Sequence, residues 1–288
     1  DVQSYGGFLL HTGVIDEGII EVGSFVKCQV DYDRRRLVTP NHSMTHVLNA
    51  ALAKVLGAGV DQRGSLCNDE KLRFDFSYKK AMTTDELRKT EEICQRIVSE
   101  SLPVTDKVMP LADATSLPGV RAVFGEVYPD PVRVVTIGED TSIEFCGGTH
   151  VSNTNEAEAF VIVEETAVAK GIRRISAVTR DIAIKAIAVG SKFEAAVEEA
   201  EGLLADTPDL DKKAGAMRKD LDESFMSAPL KSELRARIDV IQKRGMEAKK
   251  ALLAGRVDRC LNDVKVQINA AVEEGKTIMV MKVDIGAD

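Results

Sequence analysis

The chain has 288 residues, 44% of them hydrophobic, and a formal charge of -8 at neutral pH; this is enough apolar side chain for one or two packed cores, and too much for a disordered chain. No run reaches the ~18 consecutive apolar residues of a membrane span, and Asp1-Val2-Gln3-Ser4 has neither the basic start nor the apolar stretch of a signal peptide, so no membrane or export role is expected. Five widely spaced cysteines, an odd number, argue against a disulfide framework and for a reducing compartment, the cytoplasm or an organelle matrix.

The acidic balance argues against general polyanion binding, which needs clustered Lys and Arg. Two local basic clusters stand out, Arg34-Arg35-Arg36 and Lys170-Gly171-Ile172-Arg173-Arg174, each readable as a solvated charge run or as an RNA contact. There is no initiating Met, and the last residues, Ile278 to Asp288, read as a strand cut off at a turn. The chain is therefore expected to be a piece of a longer protein.

In chain order, short apolar runs alternate with glycine over residues 1–38 (Gly6-Gly7-Phe8-Leu9-Leu10, Gly18-Ile19-Ile20, Phe25-Val26), which suggests a small β-barrel. A helix is expected from Thr39 as cap and Pro40 as first helical residue, with the stripe Val47, Leu48, Ala51, Leu52 and Val55 running to Gly57. Leu72-Arg73-Phe74-Asp75-Phe76 alternates like a half-buried strand, and Thr83 with Glu86 forms a capping box that opens a second helix. Further strands are expected over 132–137, 160–163 and 174–178. From about residue 181 Ala, Glu, Lys, Leu and Arg dominate, and apolar residues recur at Met217, Leu221, Phe225, Leu230, Leu234, Ile238 and Ile241. That pattern indicates long, coiled-coil-like helices folded on one another, broken near Pro208 and Pro229, serving as a spacer or a surface for self-association. The fold class is thus α+β: barrel 1–38, mixed core 39–180, helical arm 181–256, and the start of a further domain over 257–288.

His42 and His46 stand four apart on the first helix, which puts both imidazoles on one face. Alone this is a weak signal for metal. Cys146-Gly147-Gly148-Thr149-His150 adds a thiolate and a third imidazole on a flexible turn, and the His3Cys set, which takes three of the four histidines in the chain, suits Zn²⁺. The helix is not of the H-E-x-x-H protease type, because Ser43 stands where the catalytic glutamate would be. Four protein donors leave no open position, so a structural zinc stays open beside a catalytic one. His11 and the other cysteines read as packing residues.

Five stretches, Asn41-His42-Ser43-Met44-Thr45-His46, Asp61-Gln62-Arg63-Gly64-Ser65-Leu66, Leu72-Arg73-Phe74-Asp75-Phe76, Glu144-Phe145-Cys146-Gly147-Gly148-Thr149-His150 and Gly171-Ile172-Arg173-Arg174-Ile175, occur in the order seen in the alanyl-tRNA synthetases, and nearly the whole chain resembles that family's C-terminal half. Gly147 and Thr149 separate it from the threonyl-tRNA synthetase editing domain, and Tyr128-Pro129-Asp130-Pro131 resembles the eukaryotic cytosolic type. Met44 departs from the family, which commonly has alanine there.

The resemblance implies a zinc-dependent aminoacyl-tRNA deacylase acting on tRNA(Ala) mischarged with Ser or Gly, since alanine, serine and glycine are too alike for one binding site to separate. It implies metal ligation by His42, His46, Cys146 and His150, and puts Gln62 near the substrate, where with Thr45 it could bond the serine hydroxyl or the attacking water. Arg173 and Arg174, adjacent on a strand, should face opposite ways, one of them toward tRNA phosphates. Whether zinc would activate water or orient substrate stays open, as do a non-catalytic tRNA-binding or assembly module and another zinc hydrolase. No ATP-binding aminoacylation core is evident, so ligation and its ATP are expected of other residues of a parent protein.

Overall fold

A computed structural model describes residues 2–6, 8–57, 59–122 and 126–283, and the chain divides into two units, residues 1–33 and 34–288. In the first unit β1 (Val2–Tyr5) and β2 (Phe8–His11) form an antiparallel hairpin. The barrel expected over 1–38 is not formed: among the described residues of that stretch this hairpin is the only strand pairing, and Val14, Ile19, Val22 and Phe25 are exposed. A barrel closes only when every edge strand finds a partner, and the glycine-interrupted runs after His11 supply none. His11 and Cys28, read as packing residues, are exposed here.

The second unit opens with α1 (Tyr32–Leu56), which starts seven residues before the expected Thr39. Pro40 therefore lies inside the helix and cannot donate to the carbonyl of Arg36. The Arg180 guanidinium takes that carbonyl instead, at 3.4 Å, while Thr39 Oγ1 donates back to the Arg35 carbonyl rather than capping. α2 (Thr84–Ser99) does begin at its capping box: Glu86 N–H donates to Thr83 Oγ1, and Thr83 N–H to Glu86 Oε2 at 2.7 Å.

One four-stranded antiparallel sheet has the order β3 (Gln62–Cys67), β4 (Leu72–Ser77), β10 (Ile172–Thr179), β9 (Phe160–Ala169). Leu72, Phe74 and Phe76 alternate onto one face, where Met44, Leu48 and Leu52 of α1 and Leu87, Ile97 and Val98 of α2 complete the largest core. On the other face Val161 and Val178 pack on Ala183 and Ala186 of α4 (Arg180–Glu201). The second sheet has the order β5 (Val104–Met109), β7 (Val132–Ile137), β8 (Ser142–Phe145), β6 (Val120–Arg121), with β6 parallel to β8. Val132 and Val134 bury on the short helix α3 (Leu111–Thr115), whereas Ile137 joins the main core. Burial of both faces is why the 132–137 run is almost continuously apolar.

The arm comprises α4, α5 (Leu210–Glu223) and α6 (Ala228–Glu273), with breaks at 202–209 and 224–227. Pro229 suits the start of α6, where the missing N–H costs nothing. Leu221, Leu234, Ile238 and Ile241 bury together with Val197 and Leu210; Phe225 does not, since it falls in the break and is exposed. Of the strand expected near the C-terminus, residues 278–283 are irregular, and 284–288 lie outside the described residues.

Candidate metal centre

Nearly every side chain of the centre is brought in by α1 or by β8 and the loop that follows it. The i, i+4 step puts His42 and His46 on one face of α1, while Cys146 and His150 come from a loop more than a hundred residues away. The donor atoms of His42, His46, Cys146 and His150 all lie within 4.8 Å of one another. Cys146 Sγ is 3.5 Å from His42 Nε2 and 3.3 Å from His150 Nε2, close to the edge of about 3.5 Å that a tetrahedral zinc site with its usual Zn–S and Zn–N bonds would have.

Each imidazole is held at Nδ1, which leaves Nε2 toward the thiol. His42 Nδ1 lies 3.2 Å from the Thr149 carbonyl, which can only accept, so that nitrogen carries the proton. His46 Nδ1 meets Glu144 Oε2 at 2.5 Å, and His150 Nδ1 lies 3.1 Å from Ser43 Oγ, itself anchored by the N–H of Val151. His46 Nε2 is buried and has no hydrogen-bond partner among the described residues. An orphaned buried nitrogen is costly unless something else occupies it, and the four residues could hold a metal ion.

Burial works against a charge on Cys146, yet the hydrogen bonds from His150 and His42 and the nearby charge of His46 outweigh it and bring the thiol down to about 3. Burial likewise opposes a charge on His46, but Glu144 and Cys146 raise it to about 10, while burial lowers His150.

The loop geometry explains one glycine. A Cβ on Gly148 would stand 2.1 Å from His42 Cε1, so only glycine lets the loop come this near; Gly147 meets nothing within 4 Å. Arg133 of β7 clamps the loop from outside, its Nη1 donating to the carbonyls of Cys146 at 3.0 Å and Gly148 at 2.6 Å, and its Nε to Asp106 at 2.9 Å.

Sequence reasoning passed over Arg133, Ser43, Asn49 and Glu144 as site residues. Glu144 is 6% exposed and its second oxygen accepts from Asn49 Nδ2 at 3.0 Å and Ser142 Oγ at 2.9 Å. Its signal was present: an acid two residues before Cys146 on a strand shares the face of Ser142 and points into the core.

Gln62 half-buries at the start of β3, donates to Ser65 Oγ at 3.3 Å and lines a cleft beside Glu144. Thr45 is turned elsewhere, donating to the Asn41 carbonyl and lying 3.1 Å from Cys67 Sγ. Met44, fully buried, packs into the main core with Phe74. Arg173 and Arg174 face opposite sides of the sheet, as their pairing with Phe76 and Asp75 requires; each is forked onto a carboxylate, Arg173 on Glu165 and Arg174 on Asp75 at 2.6 and 2.8 Å. None of Thr45, Arg173 or Arg174 lines the cleft. No described helix is long and apolar enough to cross a membrane.

The family profile described as "Threonyl and Alanyl tRNA synthetase second additional domain" matches residues 132–176, from β7 to β10, and so includes Cys146 and His150. The chain is 45% identical over 258 residues to the mitochondrial alanine–tRNA ligase of Saccharomyces cerevisiae (84% of this chain, 26% of that protein) and 41% identical over 282 residues to the alanine–tRNA ligase of Schizosaccharomyces pombe (92% and 29%). It is 45% identical over 208 residues to the cytoplasmic enzyme of Drosophila melanogaster (67% and 21%). The chain thus spans less than a third of the length of these relatives. Identity of this order over most of the 288 residues, with the profile seated on the strands that carry the thiolate loop, means that the chain belongs to the alanyl-tRNA synthetase family.

Proposed function

We propose that the chain edits tRNA(Ala), hydrolysing the ester that joins serine or glycine to the terminal adenosine, with Zn²⁺ as the ion at His42, His46, Cys146 and His150. The observation that carries this reading is the convergence of four donors from α1 and the β8 loop, with His46 Nε2 buried and unpartnered. When bound, Zn²⁺ would supply Lewis-acid polarisation and orientation of the aminoacyl group or a water. Glu144, Ser43 and the Thr149 carbonyl keep the three imidazoles aimed. Gln62, at the neighbouring cleft, is placed to hydrogen-bond the substrate. Thr45 acts in this reading by fixing α1 against Cys67, and Arg174, the more exposed of the paired arginines, is the one assigned to RNA phosphate.

The relatives named as alanine–tRNA ligases are the basis for the tRNA(Ala) partner and for membership of a ligating enzyme; ATP and ligation are not assigned to these residues. The core proposed to edit is 39–180, with 181–256 as its arm, 257–288 leading to a further domain, and the arm as a surface for self-association. The cytoplasmic relatives support a cytoplasmic setting, with a mitochondrial one supported by the yeast protein.

One observation favours a second reading. Four protein donors close a tetrahedral shell, the hallmark of a structural zinc, and the chain would then bind tRNA without cutting it. Deacylation of Ser-tRNA(Ala) by the chain, by His46→Ala and by Cys146→Ala separates the two. Loss of turnover in both variants and on chelation is expected; turnover that survives metal removal overturns the editing proposal as stated.

A further inference from the structure

Arg133 joins one edge of the second sheet to the thiolate loop. It stands at the second position of β7, opposite Val108 of the edge strand β5, and it faces Cys146 one step beyond the β7–β8 pair of Val134 with Phe145. Val108 is exposed, and cross-strand partners share a face, so the side chain of Arg133 runs along the outer side of the sheet. There Nε donates to Asp106, the diagonal neighbour on β5, at 2.9 Å. Nη1 donates in the other direction to the carbonyls of Cys146 at 3.0 Å and Gly148 at 2.6 Å. The backbone of the same residue closes the grip, because the Cys146 N–H donates to the Arg133 carbonyl at 3.1 Å.

The two carbonyls belong to the peptide units on either side of the one that joins Gly147 to Gly148. A Gly-Gly step left to itself is the loosest kind of backbone. With both flanking units held, the middle one is fixed, and its N–H, that of Gly148, donates to Cys146 Sγ at 3.5 Å. Only arginine suits this task. Its planar fork sends N–H groups two ways at once, whereas a lysine ammonium has a single nitrogen and cannot reach Asp106 and both carbonyls together. A thiolate that accepts an N–H has less electron density left for a cation, so the loop sets donor strength as well as direction.

We infer that Arg133, oriented by Asp106, is a positioning residue for the metal centre: it locks the Gly147–Gly148 peptide so that its N–H bonds Cys146 Sγ, and thereby fixes the aim and the donor strength of the thiolate. This rests on the reading that the four donors bind zinc. It is independent of what the centre then does to an ester.

The test titrates Zn²⁺ and Co²⁺ into the full chain, Arg133→Lys, Arg133→Gln and Asp106→Ala, with a thermal melt of each metal-free protein. In the unaltered chain Co²⁺ should give a thiolate-to-metal charge-transfer band, and the Zn²⁺-loaded protein should protect the Gly148 amide from hydrogen exchange. Both Arg133 variants should bind Zn²⁺ about 10–100-fold more weakly, move the band at saturating Co²⁺ to longer wavelength and lose the amide protection. Asp106→Ala keeps the guanidinium but frees its direction, and should fall between. A residue that only stabilised the fold would lower the melting temperature and leave the saturated spectrum and the amide unchanged; that result overturns the inference, as does full rescue by Arg133→Lys. Should the Arg133 variants fail to fold, Asp106→Ala, at a half-exposed position on the edge strand, decides it, an unaltered affinity and spectrum there counting against. An unaltered chain that binds neither ion overturns the zinc reading and this inference together. One that shows the expected spectra and deacylates nothing overturns the editing proposal and keeps this role for Arg133.

Discussion

Gly148 runs past His42 so closely that a single added methyl would stand 2.1 Å from the imidazole Cε1. Arg133 holds the loop there by the carbonyls on either side of Gly147, so the imidazole, not the backbone, must give way. Gly148→Ala should therefore leave the fold intact and weaken metal binding by about 10–100-fold, the usual cost of misaiming a ligand. Competition with a chromophoric chelator measures this; unchanged affinity would mean that the loop can retreat.

Glu144 is the single acceptor shared by His46, Asn49 and Ser142. Glu144→Ala strands three buried donors at once, with an expected destabilisation on the order of 3–5 kcal/mol in addition to weaker metal binding. Glu144→Gln keeps one acceptor oxygen and can serve one side only, so it should fall between. Urea unfolding of the two variants ranks them, and a Gln variant no better than Ala would count against the shared-acceptor account.

Glu91 of α2 lies outside the metal centre, where its carboxylate accepts from Ile162 N–H at 2.7 Å and Ser227 Oγ at 2.8 Å and ties α2 to β9 and to the cap of α6. Burial raises it from 4.5 to about 7 against the pull of those two hydrogen bonds. The folded chain thus keeps a proton that the unfolded chain has released, and stability falls as pH rises from about 4.5 to about 7. Relative to Glu91→Gln, the unaltered chain should lose on the order of 1–3 kcal/mol between those limits. Denaturant melts of both at pH 5 and pH 8 check the sign, and a constant difference would refute it.

Leu234 is fully buried among Leu221, Ile238 and Val197 at the heart of the arm. Leu234→Ala should cost about 2–5 kcal/mol and leave metal stoichiometry and affinity as they were, because none of the four candidate donors belongs to that cluster. Metal titration alongside a thermal melt tests the separation. Lost metal at a temperature where the helices persist would show the arm supporting the centre.

The local grammar of the chain was legible where one stretch of sequence carries its own physics. The Thr83–Glu86 box starts α2, the alternation of Leu72, Phe74 and Phe76 makes a half-buried strand, Pro208 falls in the break before α5, and Pro229 lies in the first turn of α6 just after the second break. Reasoning from such signals failed where a distant partner outweighed them. Pro40 looked like a helix start, but Arg180 satisfies the carbonyl that the proline leaves free, and α1 begins earlier. The apolar runs after His11 looked like strands, but strands exist only as pairs, and the pairing stops at the hairpin.

For the candidate site, residue chemistry and spacing alone singled out the four donors, because softness of ligand and an i, i+4 step are local properties. Their meeting across 104 positions, the aim of each imidazole and the shared acceptor at Glu144 were decided by the tertiary structure. The reason is that distances between remote residues are set by which strands pair and which faces pack, and no short window of sequence contains those choices.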